Sequence, residues 1–127
     1  MVRLLNTSAF LVALAAIGLA GPALAGDAAS GKTVFFQYCS ACHATTKGAP
    51  SGLGPSLFGV VGRKAGSLPG YAYSPAMKAA DYSWTTDRLA AYLPAPMKVV
   101  PGTKMTFAGL KRPGQADDVI AYLSSLK

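Results

Sequence analysis

The sequence predicts an all-α fold of about four or five short helices joined by long loops. Three observations carry this. Apolar residues recur at helical spacing near both ends of the chain, no segment reads as a convincing strand, and Gly, Pro, Ser and Lys crowd the stretches between. The 127 residues are a one-domain length, with no internal repeat.

The first 25 residues are expected to be lost. They start Met1-Val2-Arg3, run through the apolar stretch from Phe10 to Leu19 and end Ala23-Leu24-Ala25. A positive start, a short apolar middle and an A-x-A ending describe a secretory signal cleaved after Ala25. The alternative is an uncleaved membrane anchor, against which stand the short apolar core and the Gly21-Pro22 interruption. Residues 26–127 then form a single domain.

Asp27 is placed to cap a helix over Ala28–Tyr38, with Gly31, Val34, Phe35 and Tyr38 at i, i+3, i+4, i+7. Ser74-Pro75 reads as an N-cap with proline in the first turn, opening a short helix through Ala80. Thr86-Asp87 opens another, carrying Leu89, Tyr92 and Leu93 and stopping at Pro94. The last helix repeats Ala116, Val119, Ile120 and Leu123, with Tyr122 and Leu126 alongside. Its first turn holds Asp117 and Asp118, where the helix dipole favours negative charge.

The loops at 44–73 and 94–114 are long for a compact domain and count against a core made of protein alone. They are too apolar to be disordered, since they carry Leu53, Leu57, Phe58, Val60, Val61, Val99, Val100, Met105, Phe107 and Leu110. A large, flat, apolar cofactor would give these side chains something to pack on.

The net charge is +7, from 12 Lys and Arg against 5 Asp and no Glu. Losing Arg3 with the signal leaves 11 basic against 5 acidic residues, or +6. A basic surface suits nucleic acid, an anionic membrane or an acidic protein. Export makes nucleic acid a poor partner, and the absence of a Lys/Arg run argues against a membrane patch. An acidic protein is the best reading.

Both cysteines and the sole histidine fall within Cys39-Ser40-Ala41-Cys42-His43. A disulfide here would close too small a loop to staple a domain. A thioredoxin-like dithiol needs Cys-x-x-Cys at a helix N-terminus after a βαβ pattern, and this pair follows a helix. Zinc needs further Cys or His ligands that the chain lacks. The remaining reading is covalent haem, with both thiols added across the porphyrin vinyls and the adjacent imidazole on the iron. A second histidine ligand is excluded. Methionine, lysine, tyrosine or an open site remain for the opposite face. Met77 and Met97 read as core gap-fillers. Met105 differs, because it lies in the loop "PAPMKVVPGTKMTFAGL", which can wrap to the far side of a haem held by His43.

The stretches "CSACH", "GPSLFGVVGRKAG", "YAYSPAMK", Trp84, "PGTKMTFAGL" and "DDVIAYL" cover nearly all of 26–127. In that order and spacing the chain resembles the class I c-type cytochromes, the family of mitochondrial cytochrome c and its bacterial periplasmic relatives. The resemblance implies the small cytochrome c fold wrapped around one haem c, attached through Cys39 and Cys42. It implies His43 as proximal and Met105 as distal iron ligand, with the Pro55 carbonyl accepting from the His43 ring. Arg63, Tyr73 and Trp84 would meet the haem carboxylates; Tyr92 and Thr103 would line the Met105 side. Gly31 and Phe35 would meet Tyr122 where the terminal helices cross. Two positions depart: Tyr38 stands where mitochondrial members have lysine, and Met77 where they tend to have asparagine.

Histidine and thioether together fill both axial positions, which implies a monomeric periplasmic electron carrier and no enzyme. Its partners would be acidic redox proteins or membrane redox complexes, docking transiently on Lys47, Lys98, Lys104 and Lys111. The rival is a haem enzyme or gas-binding protein, peroxidase-like, with a labile sixth ligand.

Overall fold

A computed structural model describes residues 25–127 together with Gly18; the expected signal, Ala25 and Gly18 apart, lies outside the described residues. Five helices follow one another: α1 (Ala28–Tyr38), α2 (Pro75–Ala79), α3 (Thr86–Tyr92), α4 (Pro96–Val99) and α5 (Gln115–Ser124). Among the described residues the β-structure is one isolated antiparallel bridge, Lys64 to Ser83.

Local chemistry sets the boundaries. The Asp27 carboxylate accepts from the Ala29 and Ser30 N–H groups at 3.1 and 3.3 Å and from the Ser30 hydroxyl at 2.7 Å. These bonds, the hydroxyl first, hold its carboxyl below the usual aspartate value. Ser74 caps α2 by accepting from the Met77 N–H at 3.1 Å, with Pro75 in the first turn. The cap of α3 is Thr85, one residue before the expected start; its hydroxyl accepts from the Arg88 N–H at 3.1 Å. The expected loop 94–114 contains a helical turn, α4, which opens on Pro96. In α5 the paired Asp117 and Asp118 lie in the first turn, as the dipole favours.

The terminal helices cross at Gly31. A Cβ there would run into the Asp118 carbonyl and stand 3.0 Å from the Tyr122 Cβ. Phe35, 1% exposed, packs its ring 5.6 Å from that of Tyr122, and Val119 is equally buried. The Asp27 N–H donates to Asp118 at 2.9 Å, tying the start of α1 to α5. Leu89, Tyr92, Trp84, Val60, Val100 and Leu110 extend this core into α3 and both long loops. Loop ends are pinned by backbone bonds, Leu110 N–H to the Leu93 carbonyl and Gly59 N–H to the Leu126 carbonyl, each 2.9 Å.

Not every apolar loop residue is covered: Leu53 is 79% exposed. Met97, expected to fill the core, is 48% exposed on α4, whereas Met77 does pack against the core. No helix among the described residues is long and apolar enough to cross a membrane.

The crossing yields a direct test. Gly31→Val places side-chain carbon where the α5 backbone already is, and the backbone cannot step aside as a flexible side chain would. The loss is expected to be about 2 kcal/mol of unfolding free energy, in the range for overpacking a tight contact. Guanidinium denaturation reads it; a variant as stable as the parent would contradict the crossing.

Candidate cofactor site

The end of α1 delivers the thiols. Cys39 is its C-cap, and the next residues keep turning: the Cys42 and His43 N–H groups both donate to the Cys39 carbonyl, at 3.1 and 3.0 Å. Both thiols are free, Cys39 half-buried and Cys42 exposed. Burial, then the neighbouring Cys42, pushes the Cys39 thiol up to about 11.

His43 is fixed by the loop beneath it. Its Nδ1 lies 2.7 Å from the Pro55 carbonyl oxygen, which can only accept, so Nδ1 carries the proton. The Nε2 lone pair is thereby left for a metal. Burial lowers the ring's pKa and Arg63 does so further, while the bond to Pro55 opposes them. The ring is held neutral, the form that ligates. Gly54 makes this approach possible. A Cβ there would strike the His43 ring at Cε1 and lie 2.7 Å from Nδ1.

A second group gathers around Met105. The Thr103 hydroxyl accepts from the Met105 N–H at 3.2 Å, and the Tyr92 hydroxyl donates to Met105 Sδ at 3.8 Å. Tyr92 is buried, which with nearby Tyr82 pushes its hydroxyl up to about 12 despite a bond to Thr103. It stays a donor.

A third group joins Arg63 and Trp84 through the backbone: Gly62 N–H donates to the Trp84 carbonyl at 2.8 Å, and Trp84 N–H to the Arg63 carbonyl at 2.9 Å. The Arg63 guanidinium donates to the Ser56 carbonyl at 2.9 Å and the Phe58 carbonyl at 3.3 Å. Tyr73 accepts from the Leu68 N–H at 3.3 Å, leaving its own proton for another acceptor.

Thus Pro55 meets His43, Tyr92 and Thr103 meet Met105, and Arg63 meets Trp84; no hydrogen bond joins the His43 group to the Met105 group. An aromatic contact spans that gap at the edge. Tyr38, beside Cys39, sits 6.3 Å from Phe107, two residues past Met105. Of the four lysines, Lys104 donates to the Ala72 carbonyl and Lys111 to the Pro94 carbonyl, while Lys47 and Lys98 are exposed. Sequence reasoning missed Gly54, whose position directly before Pro55 was the available signal. It also missed Tyr82, whose buried hydroxyl has no partner.

A family model, Cytochrome c, matches residues 28–127. The chain belongs to the cytochrome c family. It is 48% identical over 103 residues to cytochrome c2 of Rhodoblastus acidophilus, covering 81% of this chain and 95% of that protein. To cytochrome c of Euglena viridis it is 48% identical over 102 residues, 80% of this chain and 99% of that one. The solved cytochrome cH from Methylobacterium extorquens superposes with a TM-score of 0.72 at 48% identity, covering 79% of this chain and 99% of that one. The cofactor is therefore covalently attached haem c, and the chain is an electron carrier. The residues present fit it. Paired free thiols adjoin an imidazole with Nε2 unspent, and a thioether is held by its own donor.

The His43 seat is open to test. Gly54→Ala forces the ring off the Pro55 carbonyl, so the His43 Nδ1–H resonance of the ferrous protein should move upfield. Stability should fall by about 2 kcal/mol. An unmoved resonance with unchanged stability would contradict this packing.

Proposed function

We propose that this cytochrome c is a soluble periplasmic one-electron carrier, formed by residues 26–127 after loss of a 1–25 signal. Cys39 and Cys42 would form the thioether bonds, and His43 and Met105 would hold the iron. The observation that carries this reading is the pair of supported donors: a ring whose Nδ1 is spent on Pro55, and a thioether that accepts from Tyr92.

Haem bound here supplies an iron that takes up and returns one electron. The chain's own residues do the rest. His43 is locked in orientation by Pro55 and Gly54, which makes it the stronger donor. Met105 offers a soft sulfur that favours Fe(II) and raises the potential. Arg63, Tyr73 and Trp84 would offer N–H and O–H groups to the cofactor's carboxylates, which would be costly to bury without donors. If His43 and Met105 both held the iron, the chain would leave no open position for a substrate, which supports a carrier and no enzyme.

The test is the ferric spectrum. At neutral pH it should show the methionine–iron charge-transfer band, and Met105→Ala should abolish the band and lower the potential. A high-spin ferric wild type would instead favour a peroxidase-like or gas-binding protein.

Docking follows from charge. Lys47 and Lys98, with the tethered Lys104 and Lys111, would guide acidic redox partners into small, short-lived complexes, without nucleic acid and as a monomer. Tyr38 in place of a lysine puts an aromatic pair with Phe107 beside Cys39. Association with the physiological partner should slow about tenfold from low to physiological salt. A flat response would remove the electrostatic part of the proposal.

A further inference from the structure

The bond at which the signal would be cut joins Ala25 to Gly26, and the fold has a use for both sides of it. Gly26 sits on the first turn of α5. A Cβ there would run into the Asp117 carbonyl and stand 2.6 Å from the Asp118 backbone nitrogen. The backbone is thus seated on α5 as tightly as Gly31 is further along. The next residue is pinned too, because the Asp27 N–H donates to the Asp118 carboxylate at 2.9 Å while its own carboxylate caps α1. Before the bond, Ala25 lines a hollow of about 190 Å³ with Thr86 and Asp87 of α3 and Asp117, Ile120 and Ala121 of α5.

Ala25 is exposed, but the backbone bends at Ala25 and Gly26. Exposure alone does not permit hydrolysis. Proteins that bind a peptide along its backbone take it as an extended strand, and a peptidase has to do so across the bond it cuts. Whether a segment can be cut therefore turns on the burial and hydrogen bonding of its backbone. A bent, pinned segment has to leave its contacts first, and the rate then follows the fraction of chains in which it is open. Here opening means lifting Gly26 and Asp27 off α5, and α1 begins at the very next residue.

We propose that docking of α1 on α5 closes the Ala25–Gly26 bond to hydrolysis, so that signal removal precedes completion of the fold. The inference rests on cleavage after Ala25, as proposed above. Hydrolysis adds water across that bond and leaves a carboxylate on Ala25 and an amine on Gly26. A chain cut first lays its new end against α5. A chain that docks first keeps its signal. Because α1 ends on Cys39, the same docking fixes the segment that presents the thiols, which puts the cut before the cofactor seat is set.

The substrate for the test is the haem-loaded full chain, accumulated while its signal peptidase is inhibited. The probe is a purified signal peptidase of the serine–lysine class in detergent, and mass spectrometry of the released 26–127 chain reads the rate. Asp118→Ala removes the acceptor of the Asp27 N–H and lies far from the scissile sequence. It should speed cleavage about threefold, the worth of one ordinary hydrogen bond. Gly31→Val should speed it about thirtyfold, its expected loss of stability read as an open fraction.

Amide exchange in the unaltered chain covers failure of the variants to fold. In the haem-loaded precursor the Asp27 N–H should exchange about a hundredfold more slowly than in an unstructured peptide. Free exchange at Asp27 overturns the proposal. If no chain, altered or not, is cut after Ala25, the signal assignment fails and takes this inference with it. If all three chains are cut there at one rate, the inference alone fails.

Discussion

Two thiols and an imidazole can be presented together only because α1 ends at Cys39 and the chain keeps turning through His43. That end is held in place from far away. Gly31 lets α1 lie against the backbone of α5, and Phe35 and Tyr122 lock the crossing one turn later. Isolated helices of this length are marginal in water, so α1 owes its persistence to this packing. A weaker crossing would loosen the segment that carries the cofactor.

The thioether is presented by a loop, where the thiols and imidazole are presented at a helix end. Met105 hangs from a stretch pinned by Thr103, by the Tyr92 hydroxyl and by the Leu110–Leu93 backbone bond. Each of the two proposed iron ligands thus has a partner of its own, Pro55 for His43 and Tyr92 for Met105. Electron transfer rewards this arrangement, because ligands that are already fixed need little rearrangement when the iron changes charge. Tyr82, Trp84 and Tyr92 form a run of aromatic contacts that ends on the Met105 sulfur.

The parts legible from the residues were those with strong local chemistry. The 3.6-residue spacing and Asp27 placed α1 with its observed bounds, and the paired aspartates marked α5. The start of α3 at Thr86 was legible, whereas its cap, Thr85, was not singled out because Thr85 and Thr86 are equally able caps. The α4 turn was missed because a helix of this length has no period to read, only Pro96 to mark its opening. Met97 was taken for a core residue and is exposed, since thioether chemistry alone does not tell the core from the surface. The Cys-x-x-Cys-His cluster was legible from spacing. Pro55, Arg63 and Tyr73 were reachable only through resemblance, because their roles depend on contacts that no local pattern encodes. Gly54 and Tyr82 went unseen for the same reason.

The claim on which the rest stands is that Cys39 and Cys42 carry the haem through carbon–sulfur bonds beside His43. Trypsin should release residues 33–47 as one peptide, bounded by Lys32 and Lys47. Prepared from cells that mature c-type haem, that peptide should weigh its own mass plus one haem and resist alkylation at both sulfurs. A haem-free peptide that takes up two alkyl groups, or one only after reduction of a disulfide, would contradict it.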